Sequence, residues 1–371
     1  MMRHSAHAAA KHNAVLSGFT IVELLVVIVV IAILAAITIV VYNDISNRAK
    51  LAAFTTDLNG ISKQFLVAKA QDDRFPSDTS GIETESTTTL SSYSFTANSF
   101  CVTVTTSELP TKTALVNETG PIQDSKCPVD GDYMQTITTA NCLATRIRAV
   151  DARDNRTYWV QKLSDGRCWM LTSLSYAGGG TNTYGDVKNL SNGTSDASMT
   201  YTQAKYYVSS NANATTEPTA PSVATTGEGQ YGYHYNWCAA MGNQQGTDAC
   251  SGTDTTDVNT AITICPAGWG LPTGNTDSEF SALIGAIKGA TNGDAGPKST
   301  WLSQRSGSWY GSFTGQSIQY ASPNAGNGLY WSVTPASTTN TRTLFLDQGS
   351  LTSSFSTGKN GGQSVRCVAA V

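Results

Sequence analysis

From Phe19 to Val41 every position is apolar except Thr20, Glu23 and Thr38. At about 1.5 Å per residue, a helix over this run reaches roughly 35 Å and can cross a hydrocarbon core of about 30 Å. The pattern then changes without breaking. Leu51, Phe54, Leu58, Ile61 and Phe65 recur at three- and four-residue intervals and line one helical face, with Arg48, Lys50, Asp57, Lys63 and Lys69 at polar positions. The spacing predicts a helix that continues beyond the membrane and ends near Gln71, ahead of Arg74-Phe75-Pro76. At about two heptads the stripe is short for a coiled coil and suits packing on the chain's own sheet.

Residues 72–135 are rich in Ser and Thr and carry short β-prone pieces, Tyr93-Ser94-Phe95 and Phe100-Cys101-Val102-Thr103-Val104. They predict a small antiparallel β-sheet laid over the helix. From about residue 136 the character shifts. All seven tryptophans lie there (Trp159, Trp169, Trp237, Trp269, Trp301, Trp309 and Trp331), which predicts a separate core built around buried rings. Phe280–Ile287 reads as a short amphipathic helix that Asp277 or Ser278 can cap. Gly178–Gly180 and Ser209–Thr226 read as surface loops. The expected class is α+β: a long N-terminal helix, a small sheet over 72–135, and an irregular α+β region over 136–371.

Composition fits an extracellular protein. Only 13% of the 371 residues are charged, and the net charge of -4 offers no basic patch for nucleic acid. The eight cysteines (Cys101, Cys127, Cys142, Cys168, Cys238, Cys250, Cys265 and Cys367) avoid the apolar run and contain no C-x-x-C pair, which points to disulfides rather than zinc. Cys101 and Cys127 are placed to close the last loop of the small sheet, although spacing alone leaves the connectivity open. Of four histidines, His4, His7 and His12 precede Gly18, which leaves His234.

Glu23 changes the reading of the apolar run. A carboxylate near the centre of a spanning helix costs about 2.5–3.5 kcal/mol, less near the edge, and a plain anchor has no need of one. Cutting before Phe19 would create an α-amino group able to pair with a neighbouring subunit's Glu23, an interaction that sets register more than stability. The plainer alternative is a glutamate that snorkels to the interface. The small residue Gly18 precedes the apolar run, unlike the cleavage site of a secretory signal. The weakly basic leader, with Arg3 and Lys11, favours a cytoplasmic N-terminus, opposed modestly by Arg48 and Lys50.

Gly18-Phe19-Thr20-Ile21-Val22-Glu23-Leu24-Leu25-Val26-Val27 resembles the prepilin cleavage and methylation motif of type IV pilins and type II secretion pseudopilins. The resemblance implies a 1–18 prepilin leader, cleavage between Gly18 and Phe19 by a prepilin peptidase, N-methylation of Phe19, and assembly through Glu23. It implies further partners in other pilin subunits and an inner-membrane assembly platform. The precursor would be a single-pass protein of the cytoplasmic membrane, later found in an extracellular pilus or at the cell surface. One departure matters: where many members carry a helix-loosening glycine and proline, this chain has Ala32 and Val40, so its helix is expected to resist melting.

Five further strings resemble the Fibrobacter succinogenes major paralogous domain. They are Asp151-Ala152-Arg153-Asp154-Asn155-Arg156-Thr157-Tyr158, Asp165-Gly166-Arg167-Cys168-Trp169-Met170, Cys265-Pro266-Ala267-Gly268-Trp269-Gly270-Leu271-Pro272, Tyr330-Trp331-Ser332 and Ser364-Val365-Arg366-Cys367-Val368. That family is similar to C-type-lectin-like and formylglycine-generating-enzyme-like folds. The resemblance implies a Cys265–Cys367 bridge, with Cys142–Cys168 and Cys238–Cys250 as the remaining pairs.

Enzyme signatures are missing. His234 stands beside Tyr231, Tyr233 and Tyr235, where a packed or surface histidine is the simpler reading. Asp254 with Asp257, and Asp130 with Asp132, fall short of a calcium-loop spacing and read as solvated turns. Ser322-Pro323-Asn324 and Glu217-Pro218-Thr219 only echo a lectin's sugar and calcium signature. No catalytic residue, metal or cofactor is expected. The leading expectation is a minor or tip pilin whose C-terminal region recognises a surface or glycan ligand. The alternative is a secretion pseudopilin without adhesive role.

Overall fold

A computed structural model describes residues 21–178, 190–192, 203–208, 232–244, 248–250, 259–289, 309–310, 319–320, 328–346 and 351–370. The chain divides into two compact units, Met1–Asp57 and Leu58–Val371.

Helix α1 runs unbroken over Ile21–Asp72, through Ala32 and Val40. Within it an 18-residue window of mean hydropathy 3.5 has no buried residue, so the helix is long and apolar enough to cross a membrane. Its later part is amphipathic as the spacing predicts: Phe54, Leu58, Ile61 and Phe65 are buried, while Leu66 and Val67 on the other side are exposed. The helix ends one residue beyond the expected position. Asp73 takes the left-handed conformation (φ 54°) that commonly closes a helix.

The first sheet is a four-stranded antiparallel meander: β1 (Thr88–Phe95), β2 (Phe100–Thr106), β3 (Thr113–Asn117) and β4 (Gly120–Gln123), in that order. Apolar β2 and β3 residues Val102, Val104, Leu115 and Val116 are wholly buried. Phe65 of α1 stacks on Phe100 at 4.3 Å between ring centroids, and Phe75 lies 4.7 Å from the same ring. This aromatic cluster fastens the end of the helix to the sheet, and the Phe75 amide adds a bond of 3.0 Å to the Ala97 carbonyl.

A 3-10 turn, Met134–Thr136, leads into β5 (Ile147–Val150), β6 (Thr157–Lys162) and β7 (Cys168–Met170). Next come β8 (Ser191–Asn192), β9 (Lys205–Val208), β10 (Tyr233–Tyr235), helix α2 (Trp237–Ala240) and β11 (Trp269–Gly270). Helix α3 (Glu279–Gly289) follows, and the Ser278 hydroxyl accepts from the Ser281 amide at 3.2 Å, so Ser278 rather than Asp277 makes the capping bond. The remaining strands are β12 (Trp309–Tyr310), β13 (Gln319–Tyr320), β14 (Gly328–Pro335), β15 (Asn340–Leu346), β16 (Leu351–Gly358), β17 (Gln363–Ser364) and β18 (Val368–Ala369).

These strands build a five-stranded sheet, β11-β18-β7-β6-β5, and a seven-stranded sheet, β16-β15-β14-β17-β10-β9-β8, with β12 and β13 as a separate pair. Pairing is antiparallel except β8 with β9 and β14 with β17. Phe280 and Leu283 of α3 join Trp169, Leu171, Tyr330 and Leu344 in one buried cluster. A larger cluster runs from Cys101, Leu115 and Cys127 through Met134 to Trp237, Trp331 and Cys367, so buried side chains are continuous across residues 135 and 136. The fold is a long apolar helix followed by mostly antiparallel sheets.

All eight cysteines are paired, as Cys101–Cys127, Cys142–Cys168, Cys238–Cys250 and Cys265–Cys367. In the chain-entropy account the gain from a cross-link grows with the loop it closes. Replacing Cys265 and Cys367 together with alanine, which opens a separation of 102 residues, should lower the unfolding free energy by about 4–5 kcal/mol. The same change at Cys238 and Cys250, 12 residues apart, should cost about 3 kcal/mol. Denaturant unfolding of the two variants checks the order, and equal losses would contradict the entropic account.

Candidate functional site

Three places bear on function: the start of α1 and the joins between the five quoted strings, which hold residues that the sequence singles out, and a cleft beside Cys127. Gly18 and Phe19 lie outside the described residues. Glu23 sits in the first turn of α1. There it is set among exposed Ile21, Val22 and Leu24 (86%, 69% and 60% exposed), so a carboxylate interrupts an otherwise apolar surface. A negative charge in the first turn is favourable to the helix dipole. Also outside the described residues are Gly179 and Gly180, Ser209–Thr226 with Glu217 and Pro218, Tyr231, Asp254, Asp257, Trp301 and Ser322–Asn324.

The five strings come together in space. Asp151 and Arg153, in the turn between β5 and β6, form an ion pair at 2.7 Å with both side chains fully buried. Burial works against the Arg153 charge, but Asp151 outweighs it and holds the guanidinium above its ordinary pKa. Arg153 Nη1 also donates to the Ile264 carbonyl at 2.8 Å, which fastens this turn to the start of the Cys265–Pro272 string. Its guanidinium lies 3.9 Å from the centre of the Tyr176 ring. From the last string, the Cys367 carbonyl accepts from the Met170 amide at 3.0 Å, and Val368 pairs with Trp169. Arg366 is fully buried 4.8 Å above the Tyr330 ring, and burial pushes its pKa down.

Each buried indole N–H in this region meets an acceptor. Trp169 donates to the Asp165 carboxylate at 2.9 Å, Trp237 to the Ser332 carbonyl at 2.9 Å and Trp269 to the Met134 carbonyl at 2.7 Å. Trp331 donates to the Tyr235 carbonyl. The quoted motif residues therefore hold strands and loops together; they do not line an open site. His234 is fully buried in β10, opposite Ser364 of β17. Among the described residues no group of three or more His, Cys, Asp or Glu is placed to hold a metal.

Next to the buried ion pair, Arg156 donates to the Ser175 carbonyl at 2.6 Å and to the Tyr233 hydroxyl at 2.9 Å. Burial pushes the Asp154 carboxyl up to about 6, against a hydrogen bond from the Arg156 amide. Burial likewise pushes the Tyr158 and Tyr235 hydroxyls up.

The third place was missed by reading the sequence. A cleft of about 310 Å³ opens where the small sheet meets the segment after Cys127. Thr111 comes from the turn between β2 and β3, Thr113 from the start of β3, Ser125 and Lys126 from the Cys127 loop, and Thr136 and Asn141 from the segment beyond it. Asp132 also lines it and is not a freely solvated turn residue. Its side chain is 17% exposed, bonded to Lys126 at 2.8 Å and to the Val129 amide at 3.0 Å. Asp130 keeps to its turn and accepts from the Arg148 amide at 2.8 Å. The concentration of hydroxyl residues on both sides of Cys127 was the available signal.

Two outcomes follow from the buried charges. Asp151→Ala leaves Arg153 buried without its carboxylate and should destabilise the fold by about 3–5 kcal/mol in denaturant unfolding. Asp154 has a folded pKa above its ordinary 3.8, so its contribution is fully present below that value and is lost as pH rises through about 6. The stability of Asp154→Asn relative to the native chain should therefore rise over that interval, and a flat difference would contradict the assignment. No protein-family model matches this chain, and no solved structure matches it.

Proposed function

We propose that this protein is a subunit of a type IV pilus-like filament, a minor or tip pilin that carries a recognition region. One observation carries the reading: Glu23 interrupts the exposed apolar start of a single unbroken helix, as the fifth residue after the Gly18-Phe19 junction. A carboxylate within the apolar run is unfavourable for an anchor and useful for a subunit that must register against a neighbour's cleaved N-terminus. A thin filament cannot readily pack a region as large as residues 136–371 in every turn, which supports a minor or tip position. The order of the five strings supports reading that region as a major paralogous domain of C-type-lectin-like kind, with an adhesive role at the cell surface.

The test is made in the source cell. The mature chain should begin at an N-methylated Phe19 by mass spectrometry, and Gly18→Lys should leave the leader attached. Glu23→Ala should still reach the membrane yet be absent from sheared filaments, whereas Glu23→Asp should retain part of its incorporation. Normal filament content of Glu23→Ala would overturn the proposal. Loss of protein secretion with surface attachment intact would instead favour a secretion pseudopilin.

A further inference from the structure

The cleft beside Cys127 has the build of a binding site. Its volume of about 310 Å³ lies at the small end of ligand pockets, enough for one ring or one side chain. Its walls come from two layers of the fold, and the junction of two layers is where ligand sites concentrate.

Those walls are fixed before any ligand arrives. Cys127 is tied to Cys101, and its amide donates to Thr103 Oγ1 at 2.9 Å. Asn141, next to the Cys142–Cys168 bridge, accepts from the Thr138 amide at 2.8 Å and donates to the Thr136 carbonyl at 3.0 Å. Recognition by held groups loses little ordering entropy on binding.

Charge narrows the ligand class. The two lining carboxylates each have a lysine: Asp132 pairs with Lys126 at 2.8 Å, and Asp124 with Lys112 at 2.9 Å. Neither sign of charge is left in excess, so the cleft does not select an ion. It is lined instead by the hydroxyl residues Thr111, Thr113 and Ser125, whose side chains can donate and accept, and by Thr136, whose hydroxyl donates to the Tyr133 carbonyl at 2.8 Å and can still accept. Val129 and Tyr133, which follow Pro128 and Asp132 in the chain, are 43% and 49% exposed. Hydroxyl-rich, charge-balanced polar walls match a pyranose ring, which presents hydroxyls at its rim.

We infer that this cleft binds one ring of a neutral saccharide at the end of a surface glycan. The inference rests on the recognition role proposed above and supplies its site and ligand class.

The test uses the full chain in a detergent without a sugar headgroup, probed by saturation-transfer NMR. The probes are methyl glycosides of glucose, galactose, mannose and N-acetylglucosamine, with glucuronic acid as the charged comparison. At least one neutral glycoside should receive saturation. Thr113→Lys and Ser125→Trp, which fill the cleft from different walls, should each weaken its binding at least about tenfold. Thr260→Trp, at an exposed position elsewhere, should leave it unchanged. Near-ultraviolet circular dichroism matching the native chain shows that the filled variants fold. No transfer to any glycoside, equal transfer in all variants, or transfer to glucuronic acid alone would overturn the inference. Filament incorporation of Ser125→Trp separates the two proposals: glycoside binding with failed Glu23 tests leaves the cleft standing without the filament, and the reverse leaves the filament without the cleft.

Discussion

The five-stranded sheet depends on how the end of the chain is held. Its strands β11 and β18 contain two residues each and β7 three, too few for their ladder bonds to keep a sheet together unaided. Yet β18 lies between β7 and β11, one place in from the edge of the sheet, and joins the two. Two links from outside the ladder make this arrangement stable. Cys367 is bonded to Cys265, close to β11, and Arg153 grips the Ile264 carbonyl from the turn between β5 and β6. Remove both, and a few backbone bonds would have to offset the entropy of ordering more than a hundred intervening residues.

That dependence explains which parts were legible in the sequence. Helix α1 was readable because a long uninterrupted apolar run and the 3.6-residue stripe that follows it are both local signals. The small sheet was readable in outline, since Phe100–Val104 has the β-branched and aromatic content of a strand and became β2. The larger sheets were not. Their core includes residues that pattern reading counts as surface: Thr341, Thr343 and Arg366 are fully buried, and Lys359 nearly so. Thr343 succeeds there because its hydroxyl donates to the Phe355 carbonyl at 3.1 Å, and Lys359 because its ammonium reaches the Thr338 carbonyl at 2.9 Å and sits over the Trp237 ring. Such partners lie in a neighbouring strand, a turn or a helix distant in sequence, and are invisible to local periodicity. Likewise, the Asp151 string could be recognised as a motif without revealing that its charges meet inside the protein.

The same burial separates motif from site. Residues that recur as strings are natural candidates for chemistry, but here they are occupied with one another. Asp151 and Arg153 neutralise each other, the buried tryptophan N–H groups are spent on three carbonyls and the Asp165 carboxylate, and His234 is enclosed in a sheet. A region held this way has its variable chemistry elsewhere, in surface segments that a rigid frame positions. The cleft beside Cys127 fits that division. Its hydroxyls stand on segments fixed by two disulfides, and none of them belongs to the strings.

Disulfides rather than a large apolar core also suit a chain of this composition. With 40% hydrophobic residues, part of them committed to the exposed face of α1, the remaining chain has limited apolar area for its folded unit. Covalent closure stabilises by restricting the unfolded chain and asks nothing more of the folded interior. It also frees the surface to carry Ser, Thr and Asn in place of charges. A frame held from within can tolerate a neutral, hydroxyl-rich exterior, because its stability does not depend on surface charge pairs.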